Sequence, residues 1–385
     1  MLEKRRVFKH VLIFSVQSNS PKPESCVNCA KMTIQMKCVM WTCISILVLS
    51  IIVSSKAEGE LSKTSNQPTT NTSADVKSKI SLNSTNNPTA TTNSKDAVSV
   101  ALQKCAEYAN YRYVKKLQPP MAGKPEQSFN TMDCANVEPL IVGGIQAKPK
   151  EYPHMALIGS GSSFEKVSWN CGGSLISEKF VLSLARCHQD VSLHGPTQWV
   201  LLGDLKVNSK TDDAKPAVYK IKKVYQHPNY TSKSRLHDIA LFELNTTVEM
   251  SPYVRPACLY TSTSVPVNTT GKITGWGRTS AVERTSDHLL KASISFLDDK
   301  KCVENFGNDY DPNSMICAGE FVHGADTCPG DSGGPLQKPV DKQVCMWNIL
   351  GITSFGSAIC GDMETPGAYT KVAFYLEWIK NIVWP

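Results

Sequence analysis

Three short segments in the last 245 residues of the chain (141–385) carry side chains suited to nucleophilic or proton-transfer chemistry. The first is Gly330-Asp331-Ser332-Gly333-Gly334-Pro335, which follows Asp326-Thr327-Cys328. A serine among glycines fits any tight turn, but glycine at 330 also lets the backbone turn its N–H inward. The second is His237-Asp238-Ile239-Ala240-Leu241. The apolar run after Asp238 predicts a strand entering a core, where a carboxylate without a partner is costly. The third is Val181-Leu182-Ser183-Leu184-Ala185-Arg186-Cys187, followed by His188. A serine hydroxyl becomes a useful nucleophile when a neighbouring base takes its proton. A guanidinium stays protonated and offers no acceptor lone pair, so Arg186 cannot be that base and is expected to pair with Asp238 instead.

These segments stand in one order from Ile141 to the C-terminus, together with Ile141-Val142-Gly143-Gly144 and Cys171-Gly172-Gly173-Ser174-Leu175-Ile176. In this the chain resembles the chymotrypsin/trypsin family of serine proteases. The resemblance implies that Ser332 is the nucleophile, that the N–H groups of Gly330 and Ser332 form the oxyanion hole, and that Asp238 orients the base. It also places Arg186 where the family has its general-base histidine. His188 is one residue displaced and points elsewhere, and His194 and His237 fall outside the motif. The resemblance further implies that cleavage after Leu140 frees an ammonium on Ile141 that pairs with Asp331. Leucine before that bond points to an upstream protease that accepts Leu.

By the same resemblance Asp326 sits at the base of the specificity pocket and selects Arg or Lys, while Gly356 and Gly367 keep its walls open. Ser354-Phe355-Gly356 is the strand that pairs with a substrate backbone. The family's disulfides imply Cys171–Cys187, Cys302–Cys317 and Cys328–Cys360, with Cys134 tethering the light chain to Cys258. Cys105 and Cys345 are left over and are expected to pair by parity. A long light chain cut by another protease is similar to arthropod clotting and immune-cascade proteases. The six-cysteine clip module of many of those is missing, since only Cys105 and Cys134 lie between Ala57 and Ile141.

The elements that must position these residues follow from texture. After Ile141, short runs such as Phe180 to Leu184, Trp199 to Leu202 and Ile239 to Leu244 alternate with turn residues, an all-β pattern. Val372, Tyr375, Leu376, Ile379 and Val383 fall on one face of a C-terminal helix. Two six-stranded antiparallel β-barrels with that helix are what the family implies. Ahead of residue 141 the reading is a leader (1–57), a disordered Ser/Thr/Asn-rich stalk (58–100) and a connecting peptide (101–140). The run Cys38 to Ser55, ending Ser55-Lys56-Ala57, reads as a signal peptide with Met36 as its start. Its length and interspersed hydroxyls argue against a membrane anchor. Removing it discards Cys26, Cys29, Cys38 and Cys43 from the fourteen cysteines, an even remainder suited to an oxidising compartment. Sequons at Asn71, Asn83, Asn229, Asn245 and Asn268 fit secretion.

The net charge of +7, from 41 basic and 34 acidic residues among 385, comes from scattered side chains. Without a basic stripe, nucleic acid is not the expected partner. No cofactor or metal is expected; Asp204, Asp212 and Asp213 lie where some relatives bind calcium, but acidic surface loops are common. Two functional readings remain. One is a secreted pseudoprotease that binds a protease, substrate or inhibitor in an extracellular cascade. The other is an active endopeptidase cutting after Arg or Lys, with His188 as base or with a histidine at position 186.

Overall fold

The computed structural model describes residues 88–117, 128–134, 145–188, 195–277, 285–320, 331–340, 345–357 and 364–385. The leader, Asn71, Asn83, Leu140, Ile141, His194, Asp326, Cys328, Gly330 and Cys360 lie outside them. The described part opens with helix α1 (Pro88–Tyr108) and the antiparallel hairpin β1 (Tyr113–Leu117) and β2 (Ser128–Met132). Strand β3 (Ile145–Gln146) then leads into a closed six-stranded barrel. Its strands are β4 (Met155–Ser160), β5 (Ser168–Leu175), β6 (Phe180–Ser183), β7 (Thr197–Leu202), β8 (Ala217–Gln226) and β9 (Ala240–Leu244). They close in the order β4-β5-β6-β9-β8-β7.

After β10 (Cys258–Leu259) come β11 (Thr270–Gly275), β12 (Leu290–Phe296), helix α2 (Asp299–Phe306), β13 (Met315–Gly319), β14 (Pro335–Pro339), β15 (Trp347–Phe355) and β16 (Gly367–Lys371). The path β15-β14-β11-β12-β13-β16 returns on itself through β15–β16 pairing, making a second antiparallel six-stranded barrel. Strand β3 adds to β12, and β10 lies parallel to β15. Alternation explains both interiors: Ile158, Leu182, Val200 and Leu202 turn into the first, and Ile273, Ile294, Phe296, Ile316 and Tyr369 into the second. The apolar face expected from residue 372 onward is present. Val372–Tyr375 form a 3-10 turn that leads into helix α3 (Leu376–Val383), with Val372, Tyr375, Leu376, Ile379 and Val383 buried.

One buried ion pair pins the start of this domain to the second barrel. Lys291 on β12 donates to both carboxylate oxygens of Glu151 at 2.6 and 2.7 Å, with each side chain only 1% exposed. The Lys148 N–H and the Trp347 indole N–H complete the residue's polar contacts, to its carboxylate and its backbone carbonyl. A pair this dry persists because each charge faces the other and the carboxylate gains a backbone donor as well.

Helix α1 corrects the reading of residues 88–100 as disordered stalk. Ala97, Ala101, Cys105 and Tyr108 recur every three or four residues and are buried, so a narrow stripe of small side chains docks onto the protease domain. Ala97 and Ala101 join the cluster of Ile379 and Val383 on α3. The Trp384 indole donates to the Tyr108 hydroxyl at 3.2 Å, which donates to Glu178 at 3.3 Å, and Lys380 meets Asp96 at 3.2 Å. Composition hid the helix because its stripe is alanine rather than leucine.

The helix also overturns the expected tether. Cys105 bonds Cys258, and Cys134 bonds Cys345, with Cα separations of 4.8 and 6.2 Å. Cys105 is on the docked stripe, packed in one cluster with Cys258 and Met346. Cys134 follows the β1–β2 hairpin, beside Asp133, which is paired with Lys150 at 2.8 Å. Cys171–Cys187 and Cys302–Cys317 are bonded as well. Peptide mapping of the non-reduced protein should therefore recover Cys105 linked to Cys258 and Cys134 linked to Cys345. After cleavage at Leu140–Ile141, the light chain should stay attached when Cys105 and Cys258 are both changed to Ser, because the second bridge remains. Recovery of a Cys134–Cys258 peptide would contradict this arrangement.

Candidate active site

The site lies where the two barrels touch, and glycines make that approach possible. The Gly172 N–H on β5 donates to the Ser332 carbonyl at 2.8 Å. A Cβ on Gly333 would fall 2.1 Å from the Ser183 hydroxyl and 2.5 Å from the Gly172 carbonyl, and its φ of +85° also favours glycine. The Ser183 hydroxyl donates to the Gly172 carbonyl at 2.7 Å, closing the contact from the first barrel. These contacts hold the Ser332 turn against β5.

Arg186 sits on the single 3-10 turn Ala185–His188, just past the end of β6, where the Cys171–Cys187 bridge anchors the chain. The Gln226 amide donates to the Ala185 carbonyl at 2.9 Å and steadies the turn. Asp238 precedes β9 and is 2% exposed. His237 before it has a φ of 56°, and the Ile239 N–H bonds back to the His237 carbonyl at 2.9 Å, a tight bend that carries Asp238 into the interior. The Thr370 hydroxyl on β16 donates to the Asp238 carbonyl at 3.0 Å.

The guanidinium of Arg186 joins these parts. Nη1 donates to Asp238 Oδ2 at 2.5 Å and to the Ser354 hydroxyl at 3.3 Å. Nη2 donates to Ser332 Oγ at 3.1 Å and to the Ser354 carbonyl. The backbone N–H of Arg186 reaches the other Asp238 oxygen at 3.0 Å. Ser332 Oγ thus accepts from a permanent cation, and among the described residues no imidazole is bonded to it. This arrangement raises the cost of placing a positive charge or accepting a proton beside Ser332, the opposite of what a general base supplies.

The other histidines are engaged or enclosed elsewhere. Burial holds His188 below the usual imidazole range, and its Nδ1 is enclosed without a hydrogen-bond partner among the described residues. His237 Nδ1 bonds the Tyr375 hydroxyl at 3.0 Å, and its ring stacks on His227 at 5.2 Å. Asp331 accepts from the Gly277 N–H at 2.9 Å, its carboxylate lying against Gly275 and Gly277, where a Cβ on either would collide with it. Gly356 and Gly367 face each other closely, a Cβ on the first lying 3.4 Å from Cα of the second. Beside them the Arg235 guanidinium covers the Phe355 ring at 4.6 Å, and Phe306 meets that ring edge-on at 5.1 Å.

Asp212 accepts from the Lys206 N–H, Asp213 from the Tyr253 hydroxyl and Asp204 from the Leu205 N–H. Among the described residues no group of three or more His, Cys, Asp or Glu is placed to hold a metal ion. The contributions of Ser354, Thr370 and Gln226 to the Arg186 turn and to Asp238 left no mark in the sequence, because they depend on strand register between segments far apart in the chain.

The trypsin family model matches residues 141–379, so the chain belongs to the trypsin family of serine proteases. It is 35% identical over 295 residues to "Serine protease snk" of Drosophila melanogaster, covering 74% of this chain and 65% of that protein. The chain thus spans slightly less than two thirds of that relative's length. It is 35% identical over 258 residues to "Phenoloxidase-activating factor 3" of Holotrichia diomphalia, covering 63% and 72%. Among solved structures it is similar to neuropsin, a serine protease expressed in the limbic system of mouse brain, at 32% identity and a TM-score of 0.53. That match covers 63% of this chain and all of the other.

Removing the Arg186 side chain leaves the Asp238 carboxylate buried without its main partner. Arg186→Ala should lower stability by about 1–3 kcal/mol, less than for a fully buried pair because the Arg186 side chain is 35% exposed and its backbone N–H still reaches Asp238, and thermal melts read this directly. Arg186→His should retain most of the stability, because an imidazole can donate to the same carboxylate. Equal melting temperatures for Arg186→Ala and the unsubstituted protein would show that the pair contributes little.

Proposed function

We propose that this chain is a secreted serine protease homologue in which Arg186 replaces the general base, and which serves as a binding partner or cofactor in an extracellular proteolytic cascade. The observation that carries the reading is the pair of donor contacts from one guanidinium to Asp238 and Ser332. A triad needs the middle residue to accept the serine proton and hold it; Arg186 can only donate. Among the described residues Gly356 and Gly367 are apposed and the Ser332 turn is seated against β5, which supports a cleft still able to bind. Binding without cutting is the use such a cleft retains. Asp326 at the pocket base directs it toward Arg or Lys side chains of a substrate, protease or inhibitor, and Gly330 with Ser332 would supply the backbone donors in front of the nucleophile.

Four disulfides among the described residues suit an oxidising compartment, and Asn229, Asn245 and Asn268 are exposed, as glycosylation requires. Among the described residues no helix is long and apolar enough to cross a membrane. The name of the Holotrichia relative, an activating factor, favours a role in a cascade. Conversion to a two-chain form takes cleavage of Leu140–Ile141 by an upstream protease that accepts leucine, after which Ile141 pairs with Asp331.

The test is amidolysis of an arginyl peptide after cleavage at Leu140–Ile141, with Ser332→Ala as the blank. The unsubstituted protein should match the blank, and Arg186→His should exceed it by at least about three orders of magnitude, the size of typical triad losses. Ser332-dependent turnover by the unsubstituted protein would establish the rival reading, an active endopeptidase cutting after Arg or Lys.

A further inference from the structure

Replacing an acceptor with a cation changes the hydrogen-bonding sense of the whole catalytic corner. In a working triad the serine O–H is consumed by the base. Here Ser332 Oγ accepts from Arg186 Nη2, and the hydroxyl hydrogen has no acceptor among the described residues. The backbone N–H of Ser332 has none either, since the neighbouring bonds in the turn come from Gly333 and Gly334. Both Nη groups of Arg186 are committed to Asp238, Ser332 and Ser354, which leaves Nε–H as its remaining donor, likewise without a partner among the described residues. The Arg186 side chain is 35% exposed, so this donor-rich corner opens to solvent.

Among the described residues the acceptors and negative charges at this corner are already engaged. Asp238 is 3% exposed at its side chain and is paired with the guanidinium. The Asp331 carboxylate is packed against Gly275 and Gly277 and accepts the Gly277 N–H. The Ser354 hydroxyl and carbonyl both face the guanidinium. The donors left without a partner among the described residues are therefore the Ser332 O–H, the Ser332 N–H and a cationic N–H. A carbonyl bound for hydrolysis needs only the backbone donor; a carboxylate, with two anionic oxygens and lone pairs for several donors, can engage all three.

We infer that the cleft is a receptor for a free peptide C-terminal carboxylate, the group that proteolysis creates, rather than for an intact peptide bond. The inference rests on the proposed pseudoprotease reading and names the ligand of that same site: a chain end left by another protease. Arg186 supplies the charge and Ser332 the two neutral donors. The same substitution that removes hydrolysis thereby selects for a product of hydrolysis, and the bound chain end is not consumed.

The experiment uses the full chain cleaved at Leu140–Ile141 and two N-acetylated peptides of one sequence ending in arginine, one a free acid and one a carboxamide, titrated by calorimetry. The acid should bind at least about tenfold more tightly. In the inert Ser332→Ala background the acid should still be preferred, by a smaller factor. In Ser332→Ala/Arg186→His, which keeps a partner for Asp238, the preference should vanish at neutral pH while the carboxamide affinity is kept. Equal affinity for the two peptides, or a preference that survives loss of Arg186, would overturn the inference and leave the cleft as a general arginyl binder. Failure of both peptides to bind would overturn the binding reading of the cleft itself, and the carboxylate inference with it.

Discussion

The Arg186 guanidinium is the point on which the two halves of the domain meet. It starts on a turn of the first barrel, satisfies a buried carboxylate of that barrel through Asp238, and donates to Ser332 and Ser354 of the second. Asp238 needs a cationic donor, because a carboxylate this enclosed cannot be left to water. Once the cation is a guanidinium, its planar fork has donors to spare, and they fall on the oxygens of the opposite barrel. On the proposed reading, stability and loss of base chemistry come from one residue: the group that satisfies Asp238 also holds Ser332 as an acceptor.

Around this contact the chain is built to bring backbones close. Gly172, Gly333 and Gly334 leave no room for side chains between the β5 strand and the Ser332 turn, and the tight bend at His237 carries Asp238 to the interior. The Glu151–Lys291 pair and β3 fasten the entry segment to the second barrel. On the far side, α1 and its bridge to Cys258 fasten the light chain to α3 and β10, so cleavage of the connecting peptide would leave both chains in one body.

Much of this was legible in the sequence, for physical reasons. The all-β texture shows because short runs between turn residues are forced by half-buried strands, while the two barrels were what the family resemblance implied. The pairing of Arg186 with Asp238 was legible once the resemblance set the two segments together, since one side chain needs a charge and the other carries it. Ser354 was read as part of a substrate-pairing strand, and its bond to Arg186 depends on the β15–β16 register, which no local pattern encodes. Helix α1 was missed because Ala97 and Ala101 bury little surface individually, and a Ser/Thr/Asn-rich flank masks their period. The tether to Cys258 was misassigned because the family's pairing was carried over without the helix, and parity then joined the two cysteines left, whereas the docked helix decides which one reaches β10.

The central claim is that Ser332 is disarmed by the residue beside it and not by any distortion of its own turn. Labelling by a fluorophosphonate, which reacts with an activated serine and requires no substrate recognition, tests this most directly. After cleavage at Leu140–Ile141 the unsubstituted protein should show no label on Ser332 above the Ser332→Ala blank, and Arg186→His should be labelled readily. Labelling of Ser332 in the unsubstituted protein would mean that another base reaches it. Absence of label in Arg186→His would mean that the turn itself is incompetent and that Arg186 is not what silences it.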